Sequence, residues 1–221
     1  LALVFSVLIG LLVELTQTSV QSVEQVERLA RTTCLGVVNM LRKPSDPPEL
    51  TVGLQSRSTM AEQYRSIRSN LLFMNVDTPL KTITVSSPSP GDGKTFTAVS
   101  VGITLAQGES RVLLVDTDLR RGRVHRIFGV KGKAGMADLL AGTVTSEEVC
   151  KPTGIDNLDV LPSGKNPPNP AELLHSQTFR NLRDHLLERY DVIVFDTPPV
   201  NLVTDAVVLG NQTDGPLLVV R

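Results

Sequence analysis

Ser86-Ser87-Pro88-Ser89-Pro90-Gly91-Asp92-Gly93-Lys94-Thr95 decides the fold of this chain. The β-like run Lys81-Thr82-Ile83-Thr84-Val85 precedes it, and a helix-like run over residues 96–107, closed by Gly108, follows. Strand, glycine-bearing loop, Gly-Lys-Thr, helix is the setting of a phosphate-binding loop. Successive loop N–H groups and the helix N-terminus converge on an anion. Lys94 then brings a point charge to the terminal phosphates, and the Thr95 hydroxyl is a ligand for Mg²⁺. Pro88 stands where the usual pattern has its first glycine. Asp92 is a carboxylate in a loop built for anions, so we expect it to face solvent. An ordinary turn can also contain Gly-Lys-Thr; here the flanks favour the phosphate loop.

Three further apolar runs, residues 112–115, 192–195 and 217–220, are continuous rather than alternating, with a weaker candidate at 157–162. Continuous apolar character marks strands buried on both faces, as in parallel sheets. Helical stretches lie between them. One spans about 59–73, with Tyr64, Ile67 and Leu71 inward. Another spans 177–190, with Phe179, Leu182 and Leu186 in register. Alternating strand and helix predicts a three-layer α/β domain with a mainly parallel sheet. Asp116 and Asp118 follow one strand and Asp196 follows another. Ligands of such sheets sit beyond the carboxyl ends of the strands, so all three acids should emerge on the rim of the phosphate loop. Mg²⁺ takes oxygen ligands and keeps several waters. Asp196 would hold it, directly or through water. Asp116 and Asp118 would share metal support and proton acceptance from an incoming hydroxyl. A strand-end aspartate can equally cap the next turn; three of them beside one phosphate loop favour function.

The 221 residues carry a net charge of −1, with 20% charged residues, which argues against bulk nucleic-acid binding. Cys34 and Cys150 have neither metal nor redox spacing and read as reduced thiols. Residues 1–13 are almost wholly apolar. As a helix they span about 20 Å, short of a ~30 Å hydrocarbon core. We expect residues 1–15 to end a transmembrane helix, with a buried core helix as the alternative. Residues 16–50 would be a juxtamembrane segment and proline-rich linker, and 51–221 the nucleotide domain. Within the segment, Ser22 and Gln25 form a capping-box pair opening a short helix, and 34–40 is apolar enough for a short strand. Thr59 and Glu62 form a second capping pair. The chain opens on Leu1 and stops at Arg221 inside an apolar run, so we expect the last helix and strand of the domain to lie beyond it.

Together these motifs resemble the bacterial tyrosine kinases of capsular and exopolysaccharide systems, over about residues 59–220. Residues 86–95 resemble the family's Walker A motif. Leu113 to Arg120 resembles its specific second aspartate motif, and Ile193 to Asp196 its Walker B motif. Residues 62–70 and 167–174 match two further family segments, and 23–40 resembles the stretch joining membrane helix to kinase. The resemblance implies ATP held by Ser89, Pro90, Gly91, Asp92, Gly93, Lys94, Thr95 and Phe96. It implies Mg²⁺ at Thr95, Asp116 and Asp196, and catalysis by Lys94, Asp116, Asp118 and Asp196. Glu62, Arg65 and Arg68 match a Glu-x-x-Arg-x-x-Arg motif that joins subunits into a ring whose members phosphorylate one another. It also implies a kinase domain on the cytoplasmic side of the bacterial inner membrane, partnered with the polysaccharide export machinery and with tyrosine-bearing proteins, and not with nucleic acid.

The family usually ends in a tyrosine-rich tail, whereas Tyr64 and Tyr190 are the only tyrosines here. Both fall in predicted helices and should be packed. Two rivals stay open. One is a partition or cell-division positioning ATPase, which resembles this fold but carries a signature lysine where this chain has Ser89. The other is a non-catalytic membrane scaffold using ATP for assembly. Arg120, Arg121, Arg123, His125 and Arg126 form a basic run without aromatic interleaving. It suits phosphate steering or subunit contact better than nucleic acid. His125 and His175 lack metal-ligand partners at useful spacing.

Overall fold

The computed structural model describes residues 22–40, 47–54, 57–74, 78–131 and 134–221. The expected membrane segment over 1–15 and residues 41–46 of the linker lie outside the described residues. Among the described residues, no helix is long and apolar enough to cross a membrane. Two compact units are present, one reaching Leu35 and including Arg221, the other Gly36–Val220.

In the first unit, helix α1 (Val23–Ala30) starts as expected: Ser22 accepts a hydrogen bond from the Gln25 N–H at 3.3 Å. It ends at Arg31, in the left-handed region at φ 50°. The Cys34 N–H then donates to the Glu27 carboxylate at 2.9 Å. The strand expected at 34–40 does not form. Extended backbone needs a neighbouring strand, and the bond from Asn39 N–H to the Gln63 side chain at 3.1 Å is no substitute for a ladder.

The second unit is built on six strands: β1 (Thr82–Ser86), β2 (Val112–Asp116), β3 (Lys151–Pro152), β4 (Leu158–Leu161), β5 (Val192–Asp196) and β6 (Gly215–Leu218). Their order is β3-β4-β2-β5-β1-β6. Only the β3–β4 pair is antiparallel. Every residue of β1, β2 and β5 is buried, the structural counterpart of the continuous apolar runs in β2 and β5, while β1 buries Thr82, Thr84 and Ser86 as well. β6 begins two residues before its predicted start and alternates in exposure.

Short helices and three long ones cover the faces. After the 3₁₀ turn Pro48–Leu50 come α2 (Thr51–Leu54), α3 (Thr59–Met74) and, beyond β1, α4 (Lys94–Ala106). Ser58, one residue before the predicted Thr59, caps α3, with its Oγ accepting from Ala61 N–H at 3.2 Å. α3 buries Tyr64, Ile67 and Leu71, as its periodicity requires. α4 packs on the sheet at Gly102, where a Cβ would make ordinary contact with Leu158 at 3.6 Å. After β2 follow α5 (Val124–Ile127), α6 (Met136–Leu140), α7 (Ser146–Val149), α8 (Pro170–His175), α9 (Gln177–Arg189) and α10 (Asp205–Gly210). One core cluster joins Leu113, Val115, Ile193 and Phe195 of the sheet to Met136, Leu174, Phe179, Leu186 and Leu209 of these helices. The result is the expected three-layer α/β arrangement with a mostly parallel sheet.

Candidate active site

The phosphate loop leaves the carboxyl end of β1 and runs into the first turn of α4. Two of its glycines, Gly91 at φ 92° and Gly93 at φ 100°, occupy the left-handed region that side chains other than glycine rarely adopt. The loop is braced from within. Ser87 Oγ donates to Ser89 O at 2.8 Å. The Ser89 N–H donates to Asp92 Oδ2 at 2.7 Å. Asp92 therefore does not simply face solvent; its carboxylate turns back onto a loop amide, which keeps its charge engaged. Lys94 and Thr95 open α4, with Lys94 Nζ donating to Thr95 Oγ1 at 3.3 Å. Phe96 packs against Tyr64, ring centroids 6.0 Å apart, so its side chain belongs to the α3–α4 contact.

Sheet register brings the acids to this loop. Asp116 of β2 lies directly opposite Asp196 of β5, and Val85 of β1 opposite Asp196. Thr117 and Thr197 lock the rim. Thr117 donates from its N–H and hydroxyl to Asp196 O at 2.9 and 2.7 Å, and Thr197 from the same two groups to Val85 O at 3.1 and 2.9 Å. These two threonines carry no sequence signature beyond following an aspartate, and only the folded rim reveals their work.

The three carboxylates differ in setting. Asp116 and Asp196 are 0% and 1% exposed, and each keeps one oxygen without a hydrogen-bond partner. Asp116 Oδ2 accepts from the Val124 N–H at 3.0 Å. Burial, and then the facing Asp196 charge, push the Asp116 carboxyl up to about 8. Burial also lifts Asp196, to about 6, against the opposing pull of the Lys94 charge and the Thr95 hydroxyl. Asp118 retains some exposure, and its Oδ2 lies 4.0 Å from Lys94 Nζ. Its Oδ1 accepts from the Arg121 N–H at 2.9 Å.

Two buried acids hold arginines at the same rim, and neither was visible in the sequence. Glu49, on the 3₁₀ turn before α2, pairs with Arg123 at 2.6 Å. Asp205, 0% exposed at the start of α10, pairs with Arg120 at 3.4 Å. Their partners lie 74 and 85 residues away in sequence, and no local pattern links such distances. The loop between is pressed close at Gly122, where a Cβ would come 2.8 Å from Asp116 Oδ2 and 2.0 Å from Ser163 Oγ.

Glu62, Arg65 and Arg68 lie along α3, outside this cluster. Glu62 pairs with Arg65, and Arg68 Nη1 donates to Thr104 O at 2.8 Å, tying α3 to α4. Among the described residues, no group of three or more His, Cys, Asp or Glu side chains is placed to hold a metal by itself. A phosphate-loop site does not need one. A threonine hydroxyl, one or two carboxylates and phosphate oxygens form its donor set, and Thr95 with the unpartnered oxygens of Asp196 and Asp116 fits it.

Comparison with known proteins agrees with this geometry. Residues 80–212 match the AAA domain family. "Tyrosine-protein kinase YwqD" of Bacillus subtilis is 40% identical over 166 residues, 75% of this chain and 70% of its own length. "Tyrosine-protein kinase wzc" of Salmonella typhimurium is 34% identical over 203 residues, 92% of this chain but 26% of that longer protein. The crystal structure of the chimerical protein CapA2B2 superposes with a TM-score of 0.82 at 36% identity, covering 89% of this chain and 84% of that one. The cell division ATPase MinD of Pyrococcus furiosus is more distant, with a TM-score of 0.54 at 27% identity, covering 63% of this chain and 58% of that one. A phosphate loop, paired strand-end aspartates and these likenesses together show that the chain belongs to the bacterial tyrosine-protein kinases.

Proposed function

We propose that this chain transfers the γ-phosphoryl group of ATP to tyrosine hydroxyls through the rim at β1, β2 and β5. The juxtaposition of Lys94 Nζ and Asp118 Oδ2 at 4.0 Å carries this reading. It sets a phosphate-binding cation beside a carboxylate that an acceptor hydroxyl can reach. In the transfer, the bond from the γ-phosphorus to its bridging oxygen breaks and ADP leaves. A bond to the tyrosine oxygen forms, and the phenolic proton passes to a carboxylate. Asp118, the most accessible of the three acids, is that acceptor. Ser89, Gly91, Gly93 and Lys94 hold the phosphates, with Pro90 and Asp92 shaping the loop and Phe96 seating the start of α4 against α3. Thr95 and Asp196, supported by Asp116, would hold Mg²⁺, which neutralises phosphate charge when bound. Most of the rate enhancement then comes from positioning and charge neutralisation.

On the larger scale, residues 1–15 would end a membrane helix, placing residues 51–221 on the cytoplasmic side of the bacterial inner membrane. The Glu62, Arg65 and Arg68 face of α3 would join copies into a ring. Neighbouring subunits would be the first tyrosine substrates, and the biological output would be control of surface-polysaccharide export. The apolar run at 1–13 and the family membership support this reading.

Full-length protein is incubated with Mg-ATP beside Lys94→Met, and phosphotyrosine is read by antibody and mass spectrometry. We expect phosphotyrosine in the parent and a loss of 100-fold or more, on the order of one removed transition-state charge contact, in the variant. ATP hydrolysis without phosphotyrosine would instead point to the ATPase switch.

A further inference from the structure

A cavity of about 770 Å³ opens beside the catalytic rim and includes none of the phosphate-loop residues 87–95 in its wall. Arg120, Arg121, Arg123 and Arg126 line it, against the single carboxylate of Glu49. Glu49 and Asp205 fix Arg123 and Arg120 in place. Arg121 and Arg126 are exposed and pair with no carboxylate among the described residues. The His125 imidazole adds little charge, since burial and the neighbouring Arg126 lower its pKa. The cavity is therefore strongly cationic and partly preorganised.

Its location restricts what it can serve. Arg121 is held to Asp118 through its backbone N–H at 2.9 Å, and Gly122 is wedged between Asp116 and Ser163. The nucleotide's phosphates have their own loop across the rim. No Phe, Tyr or Trp lines the cavity, so bases would find no stacking surface. What remains is the acceptor chain. An extended peptide advances roughly 3.3 Å per residue, so a tyrosine presented to Asp118 brings its near neighbours to these arginines. Guanidinium forks match phosphoryl and carboxylate oxygens in pairs.

Resting on the kinase reading above, we propose that this cavity is a subsite for an oxyanion carried on the acceptor segment close to the target tyrosine. An already phosphorylated tyrosine fits it best and a glutamate next. Multiple arginines suit a dianion better than a monoanion. A kinase so built would favour acceptor segments that it has already begun to modify.

The test is direct binding to the full-length protein, with the phosphate loop saturated by Mg²⁺ and a non-hydrolysable ATP analogue. Three fluorescent peptides share one target tyrosine and differ in a neighbour: tyrosine, glutamate or phosphotyrosine. We expect the phosphotyrosine peptide to bind about tenfold more tightly than the tyrosine peptide, a gain of one charge-assisted contact, with glutamate between. In the Arg121→Gln/Arg126→Gln double variant the ratio should fall to near one. Equal binding in the parent, an unchanged ratio in the variant, or displacement by oligo-dT at lower concentration than by phosphopeptide would each overturn the proposal. Phosphotyrosine formation with Mg-ATP is read separately. A protein that keeps the binding ratio but makes no phosphotyrosine would retain this subsite while refuting the kinase reading.

Discussion

Asp116 is held where a carboxylate is costly. It is buried, faces Asp196 across two strands, and has one oxygen that no protein group satisfies. Its ordinary value of 3.8 rises to about 8 in the fold. A raised carboxyl value means that the folded state holds its proton longer than the unfolded chain does. The resulting penalty is absent below about pH 4, grows as pH rises, and stops growing above about pH 8. Asp116→Asn should remove it. The amide oxygen can still accept from the Val124 N–H, and the new NH₂ can donate to Asp196. We expect the metal-free variant to be more stable than the parent at pH 7.5 by at least about 1 kcal/mol, the equivalent of one pKa unit, and so to unfold at higher temperature. It should also lose phosphotyrosine formation. Melting curves at pH 5 and pH 7.5 in the presence of a chelator check the sign, since the gap between variant and parent must widen with pH.

Among the elements, α9 shows how a helix is specified at its ends. Ser176 caps it, Oγ accepting from the Phe179 N–H at 3.1 Å, while Phe179 and Leu186 anchor it to the core. Ser176→Ala should cost about 1 kcal/mol in urea unfolding, with no change in nucleotide affinity because the helix lies away from the phosphate loop. Elements of this kind were legible in the sequence: α3, α4, α9 and the strands β1, β2 and β5 announce themselves by period, run length and caps. What was not legible depended on distant partners. Residues 34–40 had strand composition but no strand beside them. Ser58 displaced Thr59 as a cap because a single residue's shift leaves the hydrophobic face of α3 unchanged. The ion pairs of Glu49 and Asp205 exist only once the loop after β2 folds over the rim. The three aspartates and the Gly-Lys-Thr segment could be placed from sequence because each immediately follows or precedes a strong strand or helix signal.

For the molecule as a whole, both tyrosines serve the structure. Tyr64 is 1% exposed, and its hydroxyl shares a hydrogen bond with Thr97 at 3.1 Å. Tyr190 is 4% exposed and donates to Asp159 at 2.7 Å. Burial raises the phenol of each, that of Tyr190 far above the usual range. Neither can reach a phosphate loop without unfolding. After incubation of the natively folded full-length protein with Mg-ATP, we expect peptide mass spectrometry to find Tyr64 and Tyr190 unmodified, any phosphate lying on tyrosines outside this sequence or on other proteins. Phosphate on either residue would mean that the α3–α4 or the α9–β4 packing opens under native conditions.

The strand order also bears on how such an enzyme can be controlled. The three strands that carry the proposed site, β1, β5 and β2, are consecutive in the sheet, and each is hydrogen-bonded on both sides. Their amides belong to the part of a fold that exchanges with solvent last, through global rather than local opening. The proposed chemistry would therefore ride on the most cooperative region of the chain, where fraying cannot silence it while the domain survives. Within the domain, the parts that can move without unfolding these strands are those that overhang the rim: the turn bearing Glu49 and the arginine-rich loop it grips.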